Sequence, residues 1–166
     1  DCVFSGKKGN YLENDFKDET NYYGLSKNLG EIINNKNLTI RTSIIGPELK
    51  PEGTGLFNWF MNQRNSETVQ GYSKALWSGL TTLELSKFIN HCIINDYSGL
   101  LHATNNESIS KFDFGIALCK FLNLPSKFIK SGSIEFDNTG VIGIKANKYL
   151  GSHKMELEGK GARGGG

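Results

Sequence analysis

The sequence predicts an α/β fold with parallel strands, and two observations carry that expectation. An apolar period of about 3.6 residues from Tyr22 to Asn35 runs directly into the β-branched stretch Leu38 to Ile45, which Gly46 and Pro47 close. A second helical period follows from Thr81 or Thr82 to Ile93. A helix that delivers its chain to a strand is half of a β-α-β crossover, and such crossovers are right-handed with parallel strands.

Taken in order, Cys2 to Phe4 reads as the end of a buried strand and Ser5 to Gly9 as its turn-rich exit. The loop from Gly9 to Thr20 is acidic and polar and reads as solvated surface rather than substrate contact. The helix expected over Tyr22 to Asn35 would bury Leu25, Leu29, Ile32 and Ile33 on one face, with Asn34 to Asn37 as its stop. Leu38 to Ile45 then reads as a single strand. Residues 50–55 are a loop with Pro51, Gly53 and Gly55, and Leu56 to Arg64 is a short aromatic helix whose rings are expected to pack.

Glu67 to Tyr72 reads as a short strand, and Ser73 to Gly79 as a loop holding Trp77. Thr81 or Thr82 can N-cap the next helix, with Glu84 in its first turn and Leu85, Phe88, Ile89, Cys92 and Ile93 on its apolar face. His91 is then a surface histidine beside a core cysteine, and His102 a structural residue in mid-strand. Ser110 and Asp113 have capping-box spacing ahead of a helix whose Phe112, Ile116, Cys119 and Leu122 share a face. Leu124 and Pro125 end it. Ser126 to Ser131 and Val141 to Ile144 read as short strands, and the glycine-rich stretch Gly159 to Gly166 cannot bury a core.

The chemistry concentrates between Asn21 and Glu31. On a helix, Tyr23 and Lys27 lie one above the other, with Glu31 one turn further on. A free phenol titrates near ~10 and is a poor acid at neutral pH. A lysine charge about 5 Å away, at an effective dielectric near 20, favours the phenolate by roughly 3 kcal/mol. That brings it into the range for proton exchange with a carbonyl. Of the six tyrosines, Tyr23 alone has a lysine four residues on.

The order of residues around this pair narrows the reading. Asp1, Cys2, Val3, Phe4, Ser5 and Gly6 precede a polar loop, then come Tyr23, Gly24, Leu25, Ser26 and Lys27, and then Gly30 and Glu31. In that order and spacing the chain resembles the extended short-chain dehydrogenase/reductases, in their dTDP-4-dehydrorhamnose reductase-like branch. The resemblance implies the C-terminal part of a Rossmann-like doubly wound parallel sheet plus a small substrate-binding α/β lobe. Residues 1–49 would end the NAD(P)-binding domain, 50–150 would be the substrate-binding region interleaved with late Rossmann elements, and 151–166 a flexible tail.

The resemblance further implies NAD(P)H-dependent reduction of a 4-keto nucleotide sugar, with NADPH or NADH as cofactor. Tyr23 would protonate the sugar carbonyl, and Lys27 would assist it and bind the nicotinamide ribose. Arg41, Thr42 and Ser43 resemble the family's strand beside the nicotinamide, which makes Thr42 and Ser43 cofactor-binding candidates together with Tyr23 and Lys27. Val3, Phe4, Asn58 and Trp77 are the candidates for substrate contact. Where the family carries an aromatic pair, this chain has Ile44 and Ile45, and where it carries a Gly-x-Pro-Thr turn, this chain has Gly79, Leu80, Thr81 and Thr82.

No Gly-rich phosphate loop of the kind that receives a dinucleotide pyrophosphate occurs in these residues. The family's catalytic Ser or Thr would fall just before Asp1, so the chain reads as the C-terminal part of a larger reductase. Related readings are a nucleotide-sugar epimerase or dehydratase of the same superfamily, or a non-catalytic binding or regulatory subunit. A net charge of +2 with mixed signs argues against a nucleic-acid partner. No stretch is long and apolar enough to span a bilayer, and Cys2, Cys92 and Cys119 lack metal-ligand spacing and suit a reducing cytoplasm. No metal site is expected, and a homodimer is left open.

Overall fold

The computed structural model describes residues 2–50, 53, 55–63, 69–105, 107–125 and 129–132. Its elements in chain order are α1 (Tyr22–Leu29), β1 (Leu38–Thr42), β2 (Ile44–Ile45), α2 (Leu56–Asn62), β3 (Val69–Tyr72) and β4 (Leu76–Trp77). They continue with β5 (Leu80–Thr81), α3 (Thr82–Ile94), β6 (Gly99–Ala103), β7 (Ile109–Ser110), α4 (Lys111–Phe121) and β8 (Ile129–Gly132). Expectations for Asp1, Arg64, Glu67, Val141 to Ile144 and the glycine-rich end lie outside the described residues.

Among the described residues, three of the four strand pairings are parallel. β1 pairs with β6 from Leu38↔Gly99 to Thr42↔Ala103, β2 with β5, and β3 with β8. β4 and β7 pair antiparallel through Leu76↔Ser110 and Trp77↔Ile109, so Trp77 stands in a short strand and not in the expected loop.

Alternation along β1 divides two environments. Leu38 and Ile40 pack with Leu101 of β6 into a core built on Leu80, Phe88, Cys92 and Ala103 beneath α3. Thr39 and Arg41 reach instead to Ile32 and Glu31. A second core joins α2 to α4, where Phe60 and Cys119 are buried among Leu56, Phe112, Phe114, Ile116, Leu118 and Leu124. The aromatic residues of α2 therefore pack as expected, with Phe60 buried and Trp59 edge-on to it at 5.0 Å.

The helix ends of the later chain follow their sequence signals. Thr81 Oγ1 accepts from the Glu84 amide at 3.1 Å, and Ser110 Oγ accepts from the Asp113 amide while donating to its carboxylate. At their C-termini, Asp96 and Asn123 adopt φ of 57° and 53°. The following amides, Tyr97 and Leu124, donate back to the Cys92 and Cys119 carbonyls. These are left-handed caps of the Schellman type, and the second stops α4 before Pro125 is reached.

Several expectations need correction. First, the helix carrying Tyr23 ends at Leu29 and does not continue to Asn35. Beyond Gly30 the amide and carbonyl of Ile32 both engage Thr39 Oγ1, at 3.2 and 2.7 Å, and Glu31 is held by Arg41. Strand β1 thus takes the polar groups that another helical turn would have used. Leu25, Leu29, Ile32 and Ile33 are exposed and not buried, because α1 packs through Gly24. Ile89 and Ile93 of α3 are exposed as well.

Second, Cys2 to Phe4 form a turn, with the Val3 carbonyl accepting from the Glu19 amide at 3.2 Å in place of a strand neighbour. Third, the loop from Gly9 to Thr20 is more than solvated surface. Tyr11 within it is almost fully buried and stacks on Phe4 at 4.3 Å. The single strand expected over Leu38 to Ile45 is broken at Ser43 into β1 and β2.

Candidate active site

Helix α1 starts where Asn21 Oδ1 accepts from the Gly24 amide at 2.7 Å, which satisfies one of the free amides of the first turn. Its buried side is Gly24. A Cβ built there would lie 2.4 Å from the Cys2 carbonyl oxygen and 2.3 Å from Glu19 Cγ. Only glycine lets the helix come this close to the turn that carries Val3. Tyr23 and Lys27 flank that contact, with Lys27 Nζ 5.1 Å from the centroid of the Tyr23 ring.

The pair forms one wall of a cavity of about 430 Å³. Ser26, Gly30 and Glu31 continue the α1 side, Cys2 and Val3 come from the turn, and Thr39, Ile40, Arg41 and Thr42 supply the β1 side. Of the residues singled out from the sequence, Tyr23, Lys27, Val3 and Thr42 therefore meet around one space. Phe4, Ser43, Asn58 and Trp77 do not line it. Phe4 is buried against Tyr11, and the Ser43 hydroxyl accepts from Trp77 Nε1 at 2.9 Å. Asn58 sits on α2, half-buried near Gly53.

Two polar clusters tie together the segments near this space. In the first, Asp18 accepts from the Ser5 amide at 2.8 Å, the Ser5 hydroxyl at 2.6 Å and the Tyr11 hydroxyl at 3.3 Å. Burial pushes its carboxyl up, but these hydrogen bonds outweigh burial and hold it below the usual value. In the second, Arg41 grips Glu31 with two parallel hydrogen bonds, from Nε at 2.6 Å and from Nη2 at 2.9 Å. Arg41 Nη1 reaches the Glu13 carbonyl at 3.1 Å and His102 Nε2 at 3.0 Å, and Lys17 Nζ adds a contact to Glu31 at 2.9 Å.

The charges of this second cluster are set by their surroundings. Burial pushes the Glu31 carboxyl up, yet the hydrogen bonds from Arg41 and Lys17 and their charges overcome it and lower it to about 2. Burial lowers His102 to about 4, opposed by the Glu13 charge and assisted by that of Arg41. His102 is thus neutral near pH 7, with Nε2 accepting from Arg41 and the proton on Nδ1, which has no hydrogen-bond partner among the described residues.

Chemically, the cavity offers a phenol, an ammonium group and the hydroxyls of Ser26, Thr39 and Thr42, beside apolar Val3 and Ile40. That set suits a carbonyl or a vicinal diol better than a metal. Among the described residues no group of His, Cys, Asp or Glu could hold a metal ion. Sequence reasoning missed Arg41 and Glu31 as parts of the site. The available signal was an arginine in the middle of a β-branched strand, which needs a partner if the strand is buried.

Solved structures share this arrangement of elements. A hypothetical dTDP-4-dehydrorhamnose reductase from Sulfolobus tokodaii matches at 30% identity and a TM-score of 0.66, over 78% of this chain and 46% of that one. The dTDP-4-dehydrorhamnose reductase from Yersinia enterocolitica matches at 28% identity and a TM-score of 0.66, over 87% and 51%. The fold is dTDP-4-dehydrorhamnose reductase-like. A Bacillus anthracis reductase of the same name, solved in complex with NADP, shares the fold at 22% identity and a TM-score of 0.70, over 87% and 54%. The chain spans about half the length of each of these reductases. No family model and no curated protein matches the sequence.

Among the described residues of this reductase-like fold, no helix is long and apolar enough to cross a membrane.

Proposed function

We propose that this chain is part of a longer reductase that uses NADPH or NADH to reduce a 4-keto nucleotide sugar in carbohydrate biosynthesis. The observation that carries the proposal is the cavity lined by Tyr23 and Lys27 together with Val3 and Thr42. The NADP complex of a protein with the same fold supports the choice of cofactor. The donor set fits a ribose, since Lys27 and the Ser26, Thr39 and Thr42 hydroxyls can bond its two hydroxyls. When bound, the nicotinamide supplies the hydride.

Tyr23 supplies the other half of the reaction. Its phenolic proton passes to the carbonyl oxygen as the carbonyl carbon is reduced, which leaves an alcohol and a phenolate. The ammonium of Lys27 stands over the Tyr23 ring and offsets that negative charge. Val3 shields the reacting carbonyl from water on the apolar side of the cavity. In this reading residues 1–49 complete the NAD(P)-binding domain and 50–150 form the substrate-binding region. Phe4, Asn58 and Trp77 then contact the sugar nucleotide only from a second rank. A cytoplasmic location and a homodimer fit this reading.

The test is Tyr23→Phe in the full-length protein that carries this chain. Turnover should fall by about 10² to 10⁴-fold while cofactor binding, read by fluorescence titration, is retained. Unchanged turnover would refute the role of Tyr23 and with it the reductase reading.

A further inference from the structure

Arg41 occupies a place that buried ion pairs seldom justify by stability alone. Its side chain is 3% exposed and that of Glu31 6%, and removing two charges from water costs about what their attraction returns. What such a pair supplies is direction, because a planar guanidinium gripping a carboxylate through two parallel bonds fixes both distance and angle.

The contacts of Arg41 tie together several of the segments that surround the cavity. Nε and Nη2 hold Glu31, two residues beyond the end of α1 and one turn from Lys27. Nη1 holds the Glu13 carbonyl in the loop that leads into α1, and His102 on β6. The guanidinium carbon lies 5.1 Å from the centroid of the Phe4 ring, next to Val3 in the turn. Glu13 closes the circuit, since its Oε1 accepts from the His102 amide at 3.0 Å.

Resting on the reductase reading above, we propose that Arg41 is the positioning residue of the site. It sets the C-terminal end of α1 against β1 and thereby the placement of Lys27 and Tyr23 around the cavity they share with Val3 and Thr42. The N-terminal part of the helix is fixed independently, by Gly24 on the Cys2 carbonyl. Releasing Arg41 leaves the C-terminal end of α1 held only by Lys17 on Glu31 and by Thr39 on Ile32, with more freedom for the end that carries Lys27 to shift. His102 serves this geometry as a neutral acceptor, since burial lowers it to about 4. Lysine cannot replace Arg41, because a single ammonium cannot grip both oxygens of Glu31 while also reaching Glu13 and His102.

The experiment has two arms. Hydrogen exchange on this chain compares the wild type with Arg41→Lys, which keeps the charge and loses the fork, and with Glu31→Gln, which keeps an acceptor and loses the charge. Amides of α1 should exchange about tenfold faster in Arg41→Lys and less so in Glu31→Gln, while those of β6 stay within about twofold. In the full-length reductase, Arg41→Lys should lower kcat about tenfold or more with the KM for the sugar nucleotide little changed, as misplaced catalytic groups do. Equal acceleration in α1 and β6 would make Arg41 a merely structural residue and overturn the proposal, as would unchanged α1 exchange. If α1 loosens while Tyr23→Phe keeps full turnover, the positioning stands and the reductase reading falls.

Discussion

The interior around Arg41 is ionic and the interior around Phe60 is aromatic. In the first, Arg41, Glu31, Lys17, Glu13 and His102 meet through hydrogen bonds of 2.6 to 3.1 Å. In the second, Phe60 and Cys119 are buried among leucines and phenylalanines, with the Phe60 and Phe114 rings 6.0 Å apart. Apolar burial is strong but has no direction, and such a core accepts small shifts of its helices. Charge-assisted hydrogen bonds add little net stability but fix angles. The ionic interior lies under the helix that bears Tyr23 and Lys27, where placement matters most.

The difference can be broken most forcefully from the aromatic side. Phe60→Ala should lower the unfolding free energy by about 3–5 kcal/mol, read as a fall in the urea midpoint. A loss below about 1 kcal/mol would mean that α2 does not depend on this contact. Gly24→Ala probes the site side with a smaller effect. Alanine favours a helix by up to about 1 kcal/mol over glycine. The added methyl, however, meets the Cys2 backbone carbonyl at 2.4 Å, so the net result should be a loss of about 1–3 kcal/mol. A stabilised Gly24→Ala protein would show that α1 does not rest on this turn.

Acid should separate the two interiors with the smallest effect. His102 titrates near 6.5 when unfolded and at about 4 in the folded chain, so between these values the unfolded state binds the extra proton. Stability is therefore complete above pH 6.5 and declines as pH falls through that window. Glu31, lowered from 4.5 to about 2, adds a further loss as pH falls from 4.5 toward 2. Urea midpoints at pH 7 and pH 4.5 should differ, and His102→Asn should shrink the difference. Phe60→Ala should lower both midpoints and leave their difference unchanged, since its core carries no titrating partner in this range. A pH response altered by Phe60→Ala and untouched by His102→Asn would reverse the assignment.

Local signals were legible wherever the deciding partners are near in sequence. The Thr81 and Ser110 caps, the core positions Phe88, Cys92 and Cys119, and the Tyr23 and Lys27 pair all rest on residues within four positions of each other or on simple periodicity. The end of α1 was not legible. Its pattern favours helix to Asn35, and what overrides it is Thr39 and Arg41 on the next strand. Trp77 was read as loop because β4 and its partner β7 are two residues each, too short to show alternation. The gathering of Val3, Lys27 and Thr42 around one cavity is a tertiary fact that spacing cannot supply.

The parallel pairing of β1 with β6 also has a consequence for how the chain is made. Arg41 and His102, partners in that ladder, are separated by 61 residues, and their contact forms only when both strands are in place. At a synthesis rate of about 5–20 residues per second, β1 waits roughly 3–12 s for its neighbour to emerge. During that interval a growing chain holds a β-branched edge with a charged arginine in its middle, and that charge discourages pairing with other nascent chains. Arg41 in this way guards the unfinished strand before it orients the finished helix.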